Sequence, residues 1–178
     1  MKPAVPGVLY CGPAPVPTEI WTHWNLDPPL LLVLAALAFV MRRSASGAAG
    51  VAVLAVAFVS PLCALSAALF SARVVHHVLL VVVAAPLIAL ALRPARASLA
   101  LPALVISTAA LWLWHLPASY DAAMADVAVY WLMQVTWLVS AIAFWRTVFD
   151  PGQPSDTRLP RSPRLRAPTR ELSRLCIW

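Results

Sequence analysis

The stretch FSARVVHHVLLVVVAAPLIALALRP, residues 70–94, decides the fold. Its apolar part runs from Val74 to Leu92, and a helix needs roughly 20 mainly apolar residues to cross a bilayer. His76 and His77 are adjacent and lie where this apolar run begins. Ionisable side chains at membrane depth are costly and need a functional or structural explanation. The stretch therefore predicts a transmembrane helix with a candidate site at one end.

The composition of the whole chain is that of a membrane protein. Of 178 residues, 62% are hydrophobic and 11% are charged, and mean hydropathy is +0.82; soluble domains carry about 25% charged residues. No soluble domain of ordinary size remains outside the apolar segments. We therefore predict an all-α fold, a polytopic membrane helix bundle of about five transmembrane helices. The predicted spans are Trp21–Met41, Ala48–Phe70, Val74–Leu92, Ser98–Leu116 and Val127–Val148.

The two ends of the chain differ from the bundle in composition. Residues 1–20 form a Pro-rich segment without an apolar core of signal-peptide length, and we expect it to lie outside the cytoplasm. Residues 21–148 form the bundle. Residues 149–178 contain five prolines and six arginines and no span, which predicts a disordered basic tail at the cytoplasmic face. An alternative hypothesis is that this tail is the product of a shifted reading frame.

The net charge of +6 does not indicate nucleic-acid binding, because the basic residues follow alternate spans. Arginines after the first, third and fifth spans, with acidic residues in the other connections, fit the positive-inside rule. We therefore expect a multi-pass membrane protein with its N-terminus outside, in contact with the lipid bilayer and with no nucleic-acid partner. The arginines of the inner side are Arg42, Arg43, Arg93, Arg96 and Arg146.

Helix geometry brings some of the histidines to one level. Arg73 and His77 are four residues apart and share a helix face, whereas His76 points about 100° away. We expect His77 to face the bundle interior and His76 to lie nearer the interface. Pro117 disfavours helical backbone at the residue before it, so the fourth span should end just after His115. Because the third and fourth spans are antiparallel, His115 should lie at the height of the histidine pair.

The cysteines give a weaker signal. Cys11, Cys63 and Cys176 are far apart and odd in number, so they do not predict a disulfide framework. Cys63 should lie about 10 Å below the outer end of its helix, at 1.5 Å per residue. A small buried thiol is the commoner role for such a cysteine. Its depth close to that of His77 keeps it as a candidate ligand.

These residues predict a metal site at the outer membrane face. Imidazole and thiol ligands suit copper, and a carrier needs an open site with exchangeable ligands. The alternatives are neutral histidines bonded within the bundle, a pair of axial haem ligands in an electron-transfer protein, or a ligand-free scaffold. An enzyme is not expected, since no nucleophile–base constellation or phosphate-binding loop is present. The candidate metal ligands are His77, His115, His76 and Cys63.

Four motifs carry a resemblance to a known family. They are W-x-x-W-N-L-D-P from Trp21, S-P-L-C-A-L-S-A-A-L-F-S-A-R-V-V-H-H-V-L-L from Ser60, L-W-H-L-P-A-S-Y-D-A-A-M from Leu113, and F-W at the end of the fifth span. Over residues 21–148 the chain resembles the multi-spanning CtaG family, assembly factors for cytochrome c oxidase in bacterial membranes. The resemblance implies a plasma-membrane protein that helps to build a haem–copper oxidase, with the oxidase subunits as partners and copper as the metal it handles.

The chain also departs from that family. Members commonly have about seven spans, so the resemblance implies a C-terminally shortened relative. Arg73 stands where relatives often carry histidine, and His76 where they often carry glutamine. Tyr130 and Gln134 stand where many members have a pair of histidines four residues apart. If that pair binds metal in relatives, the site here is weakened or differently built.

Overall fold

A computed structural model of the chain describes residues 10–12, 15–16 and 18–150. No β-strand occurs within these residues, and the predicted all-α membrane bundle is confirmed. Most of the predicted N-terminal segment and the predicted tail from residue 151 onward lie outside the described residues. The helices are α1 (Pro28–Met41), α2 (Ala45–Val59), α3 (Leu62–Ala68), α4 (Phe70–Val78), α5 (Ala85–Ala91), α6 (Ala100–His115), α7 (Pro117–Ala125) and α8 (Val127–Val148).

Fewer helices than predicted are long enough to cross a bilayer. Within the described residues, the continuous helix Phe70–Ala91, which joins α4 and α5, and α8 are long and apolar enough to do so. The pair α6 and α7, bent by 73°, forms a third candidate if it counts as one broken span. The first two predicted spans are shorter apolar helices, because Pro28 begins α1 late and the Ser60–Pro61 step ends α2 early. Asn25 closes the end of α2 by bonding the Val59 and Phe58 carbonyl oxygens.

Small residues let α2 pack closely on α5. A Cβ atom added to Gly50 would lie 2.7 Å from Cγ1 and 3.2 Å from the backbone nitrogen of Ile88. Gly47 lies similarly close to Ala91. Such close backbone approach is typical of helix packing in membranes. The core between these helices consists of Leu30, Leu54, Ala57, Phe58, Leu80, Ala84 and Ile88.

A wide, π-helical turn at Leu79–Ala84 joins α4 to α5. Pro86, in the first turn of α5, has no backbone N–H to give to the preceding turn. The Val81 carbonyl oxygen instead accepts a hydrogen bond from the Trp145 indole nitrogen of α8, at 2.9 Å. A side chain from a neighbouring helix thus satisfies a backbone group that proline leaves free.

Replacing Trp145 by phenylalanine should destabilise the fold by about 1 kcal/mol, since the Val81 carbonyl would lose its donor in an apolar interior. Thermal unfolding of the detergent-purified protein would measure the loss. Trp112→Phe is the matched control, because Trp112 is exposed on the outer surface of α6. Equal midpoints for the two variants would contradict this role of Trp145.

The bundle has two chemically different ends. Arg146 at the end of α8 donates to the Arg93 carbonyl oxygen at 2.8 Å, and its own carbonyl accepts from the Ala95 N–H. The start of α2 meets the end of α5 here as well. We call this the arginine end, which comprises the loops carrying Arg42, Arg43, Arg93, Arg96 and Arg146. The opposite end carries His77 and His115 and is called the histidine end; its orientation towards the outside stays a prediction.

Candidate functional site

The break between α6 and α7 sets the position of His115. His115 is the last residue of α6, Leu116 is extended and Pro117 begins α7, as the sequence predicted. The Nδ1 atom of His115 lies 2.7 Å from the Leu111 carbonyl oxygen, which can only accept a hydrogen bond. Nδ1 therefore carries a proton, and in the neutral form of this exposed ring Nε2 is the atom with a lone pair.

His77 and His115 meet across the two helices. Their ring centroids are 6.3 Å apart, with the ring planes at 75°. His77 is half-buried and His115 is exposed. The predicted convergence of the third and fourth spans at one height is therefore confirmed for this pair.

Trp137 of α8 completes the contact and was not identified from the sequence. Its ring stands edge-on to His77 at 4.1 Å between centroids and stacks on His115 at 5.6 Å. Its indole nitrogen donates to the Ala110 carbonyl oxygen at 3.3 Å, which ties α8 to α6. A signal was available, because Tyr130, Gln134 and Trp137 recur at i, i+4 and i+7 on one face of α8.

An open cavity of about 250 Å³ lies beside the histidine pair. Arg73 is the positively charged residue of the cavity wall. Its Nε atom donates to the Ser66 carbonyl oxygen at 3.1 Å, and its guanidinium lies 4.9 Å from the Tyr120 ring centroid. No carboxylate is among the residues that line the cavity. They are Phe70, Arg73, Val74, His77, Trp114, His115, Tyr120 and Trp137.

The expected placement of His76 nearer the interface is wrong. His76 is only 1% exposed, and its ring packs edge-on against Phe58 of α2 at 5.1 Å. The ring lies against the backbone of Ala57, but neither nitrogen has a partner in good hydrogen-bonding geometry. The physical reason is that α2 packs against the helix face that carries His76, which turns His77 towards α6 and α8.

Cys63 is not a free thiol, contrary to the expectation for the cysteines. It forms a disulfide with Cys11, 52 residues earlier in the chain. The thiolate is the form of cysteine that binds metals, so Cys63 cannot serve as a ligand while this bond is intact.

The neighbour of Cys11 explains why two such distant cysteines meet. Tyr10 is buried, stacks on Tyr130 at 5.4 Å and donates its hydroxyl to the Asp27 carboxylate at 2.6 Å. Burial and the hydrogen bond to Asp27 raise the pKa of Tyr10 above its ordinary value, so the donor keeps its proton. Tyr10 thus holds Cys11 against the bundle, next to the buried Cys63.

The four predicted ligands therefore do not form one cluster. Within the described part of the chain, no group of three or more His, Cys, Asp or Glu side chains is placed to hold a metal ion. His77 and His115 are brought together, His76 faces α2, and Cys63 is held in the disulfide. Any metal bound by this chain alone through the predicted residues would have two imidazole ligands.

Comparison with known proteins agrees with the resemblance drawn from the motifs. Residues 95–168 match the family model of the cytochrome c oxidase caa3 assembly factor (Caa3_CtaG). The match includes His115 and the W-H-L-P-A-S-Y-D motif, and it extends past Val148, where the resemblance was expected to end. The segment that carries Cys63, His76 and His77 lies outside it. No curated protein and no solved structure matches the chain.

Proposed function

Because residues 95–168 identify this chain as a relative of the caa3 cytochrome c oxidase assembly factors, we propose that it assists oxidase assembly and handles copper as cargo. His77 and His115 would bind the ion, and the oxidase subunits would receive it. Helices that can cross a membrane, together with the family, indicate a membrane protein. A family of assembly factors favours a non-catalytic role.

The contact between His77 and His115 is the observation that carries the proposal. A nitrogen ligand lies about 2 Å from a bound first-row metal, so two imidazoles on one ion have centroids about 6 Å apart. The observed 6.3 Å is compatible with that spacing. The hydrogen bond from Nδ1 of His115 to the Leu111 carbonyl fixes the ring and leaves Nε2 for the ion, a common arrangement of metal-binding histidines. Cuprous copper accepts two such ligands.

The surroundings of the pair suit transfer better than storage. Arg73 lines the same cavity, and its positive charge opposes a bound cation. The cavity is open, and His115 is exposed, so a partner subunit can reach the ion. A weak, accessible two-ligand site releases copper to a site with more ligands.

A haem site is less well supported. Trp137 occupies the space beside both rings, 4.1 Å from His77 and 5.6 Å from His115. The cavity of about 250 Å³ is smaller than the pockets that usually enclose a ligand of even drug size. A porphyrin between these two histidines would require the aromatic cluster to move.

The disulfide supports the proposed orientation of the histidine end. Disulfides persist in oxidising compartments such as the bacterial periplasm and are rare in the cytosol. The Cys11–Cys63 bond therefore favours an N-terminus and a histidine pair outside the cytoplasm, at the plasma membrane. The arginine end would then face the cytoplasm, in agreement with the positive-inside rule.

Copper binding can be tested on the detergent-purified protein. Under reducing conditions that leave the disulfide intact, we expect about one cuprous ion per chain. Both His77→Ala and His115→Ala should lose at least about tenfold in affinity, since each removes half of the ligand set. His23→Ala is the matched control, because His23 lies in the segment before α1 and should bind as the unchanged protein does. Equal copper content in all four proteins would refute the site.

Oxidase maturation separates cargo handling from a ligand-free scaffold. At limiting copper, cells that carry the His77→Ala, His115→Ala double variant should contain less active oxidase than cells with the unchanged chain, and added copper should restore it. Unchanged maturation at limiting copper would favour the scaffold. Maturation that is lost and is not restored by copper would point to a structural defect.

A further inference from the structure

Arg73 is a cation in the first turn of a helix long enough to cross a membrane, and its observed contacts carry no opposite charge. Within the described residues its contacts are the Ser66 carbonyl oxygen and the Tyr120 ring. We propose that the cavity of about 250 Å³ beside Arg73 binds the phosphate headgroup of an anionic membrane phospholipid. This inference does not depend on copper.

Arg73 lines the cavity, and its side chain is tied back to the protein by two contacts. Arg73 lies three residues into α4, and its Nε bond to the Ser66 carbonyl oxygen together with the Tyr120 ring fixes its direction. A planar guanidinium recognises phosphate oxygens through two parallel hydrogen bonds. A charged group in a membrane helix is costly, and an anion beside it offsets that cost.

The rest of the cavity wall fits a headgroup on an apolar chain. Trp114, Trp137 and Tyr120 are aromatic, and such side chains are typical of the headgroup level of a bilayer. In the copper-free protein, the unprotonated Nε2 of His115 can accept a hydrogen bond from a headgroup hydroxyl. A phosphatidylglycerol headgroup offers both a phosphate for Arg73 and hydroxyl groups.

An apolar stripe leads from the cavity towards the membrane interior. Phe70 and Val74 line the cavity, and Val78 follows one turn later on the same helix face. Their side chains are 78%, 43% and 45% exposed, respectively. An acyl chain attached to a phosphate at Arg73 would lie along this stripe. Free phosphate would gain nothing from it, and an acidic side chain of a partner protein would not need it.

Lipid retention by the purified full-length protein tests the proposal. The delipidated protein, in detergent with a metal chelator, is titrated with phosphatidylglycerol or phosphatidylcholine, and bound lipid is counted by native mass spectrometry. We expect phosphatidylglycerol to bind at least about tenfold more tightly, because the choline cation of phosphatidylcholine offsets the attraction between its phosphate and the positive charge of Arg73. Arg73→Gln should remove this preference, and Arg73→Lys should keep part of it. Arg96→Ala is the control, because it removes one exposed positive charge at the arginine end.

Each other outcome overturns the proposal. Equal preference in Arg73→Gln and the unchanged protein would exclude Arg73 as the ligand. If Arg96→Ala lost the preference for phosphatidylglycerol to the same extent, the cause would be the general positive charge of the protein surface and not a site at Arg73. Displacement of the lipid by millimolar inorganic phosphate would show a phosphate site without a role for the acyl chain. If Arg73→Gln fails to fold, Val78→Ser is the second variant, because it interrupts only the apolar stripe. It must weaken phosphatidylglycerol binding. Unchanged binding by Val78→Ser would refute a role of the stripe in holding the acyl chain.

Discussion

Replacing Gly50 by leucine should destabilise the bundle by about 3 kcal/mol or more, the upper range for overpacking. A Cβ atom at this position would already lie 2.7 Å from Ile88 Cγ1, and the Ile88 nitrogen and the Ala84 carbonyl oxygen are 3.2 Å and 3.3 Å away. Two of these three neighbours are backbone atoms, so a change of rotamer cannot make room. The two helices must separate, which exposes the core formed by Leu54, Phe58 and Leu80.

Size-exclusion profiles and thermal midpoints in detergent would measure this effect. Ala52→Leu is the matched control, because it adds the same side chain two residues later on the exposed surface of α2. Gly50→Ala should fall between the two. A Gly50→Leu protein as stable as Ala52→Leu would show that α2 and α5 do not pack as described.

Breaking the Cys11–Cys63 disulfide should give the second large loss of stability. We expect the double variant Cys11→Ser, Cys63→Ser to be less stable by about 2–4 kcal/mol, since the bond closes a loop of 52 residues. The segment around Tyr10 and Cys11 would also detach from the bundle, and Tyr10 would lose its contacts with Tyr130 and Asp27. Intrinsic tryptophan fluorescence should change as well, because Trp131 packs against Tyr10.

Thermal unfolding with and without a reducing agent provides the measurement. The unchanged protein with reductant should unfold at the temperature of the double variant, and reductant should have no effect on that variant. Cys176→Ser serves as the control, since it leaves the Cys11–Cys63 bond intact. A double variant that unfolds at the temperature of the unchanged protein would contradict a stabilising role for this bond.

The fold class and several helix ends followed from local sequence rules. The fifth predicted span coincides with α8, and Pro117 ends α6 after His115 as the restriction on the residue before proline requires. The first two spans were predicted too long because hydropathy alone does not register backbone breaks. Asp27-Pro28 and Ser60-Pro61 interrupt the helix, although the surrounding residues remain apolar.

The candidate site was predictable only in part. Antiparallel neighbouring helices placed His77 and His115 at one height, which is a consequence of topology. The order of the helices around the bundle decides which of two adjacent histidines faces a given neighbour. No local sequence rule supplies that order, so the contact of His76 with α2 could not be predicted. The Cys11–Cys63 bond depends on where Tyr10 docks, a contact between parts of the chain far apart in sequence.

The short lengths of α1 and α2 have a consequence for the surrounding lipid. At 1.5 Å per residue, their 14 and 15 residues span about 21 Å and 23 Å, whereas the 22 residues of α8 span about 33 Å. The hydrocarbon layer of a bilayer is about 30 Å thick. A mismatch of this kind costs fractions of a kcal/mol per ångström, and the bilayer responds by thinning or the helices by associating with others. If α1 and α2 cross the bilayer without further partners, we therefore expect a thinner membrane along the α1–α2 flank than beside α8.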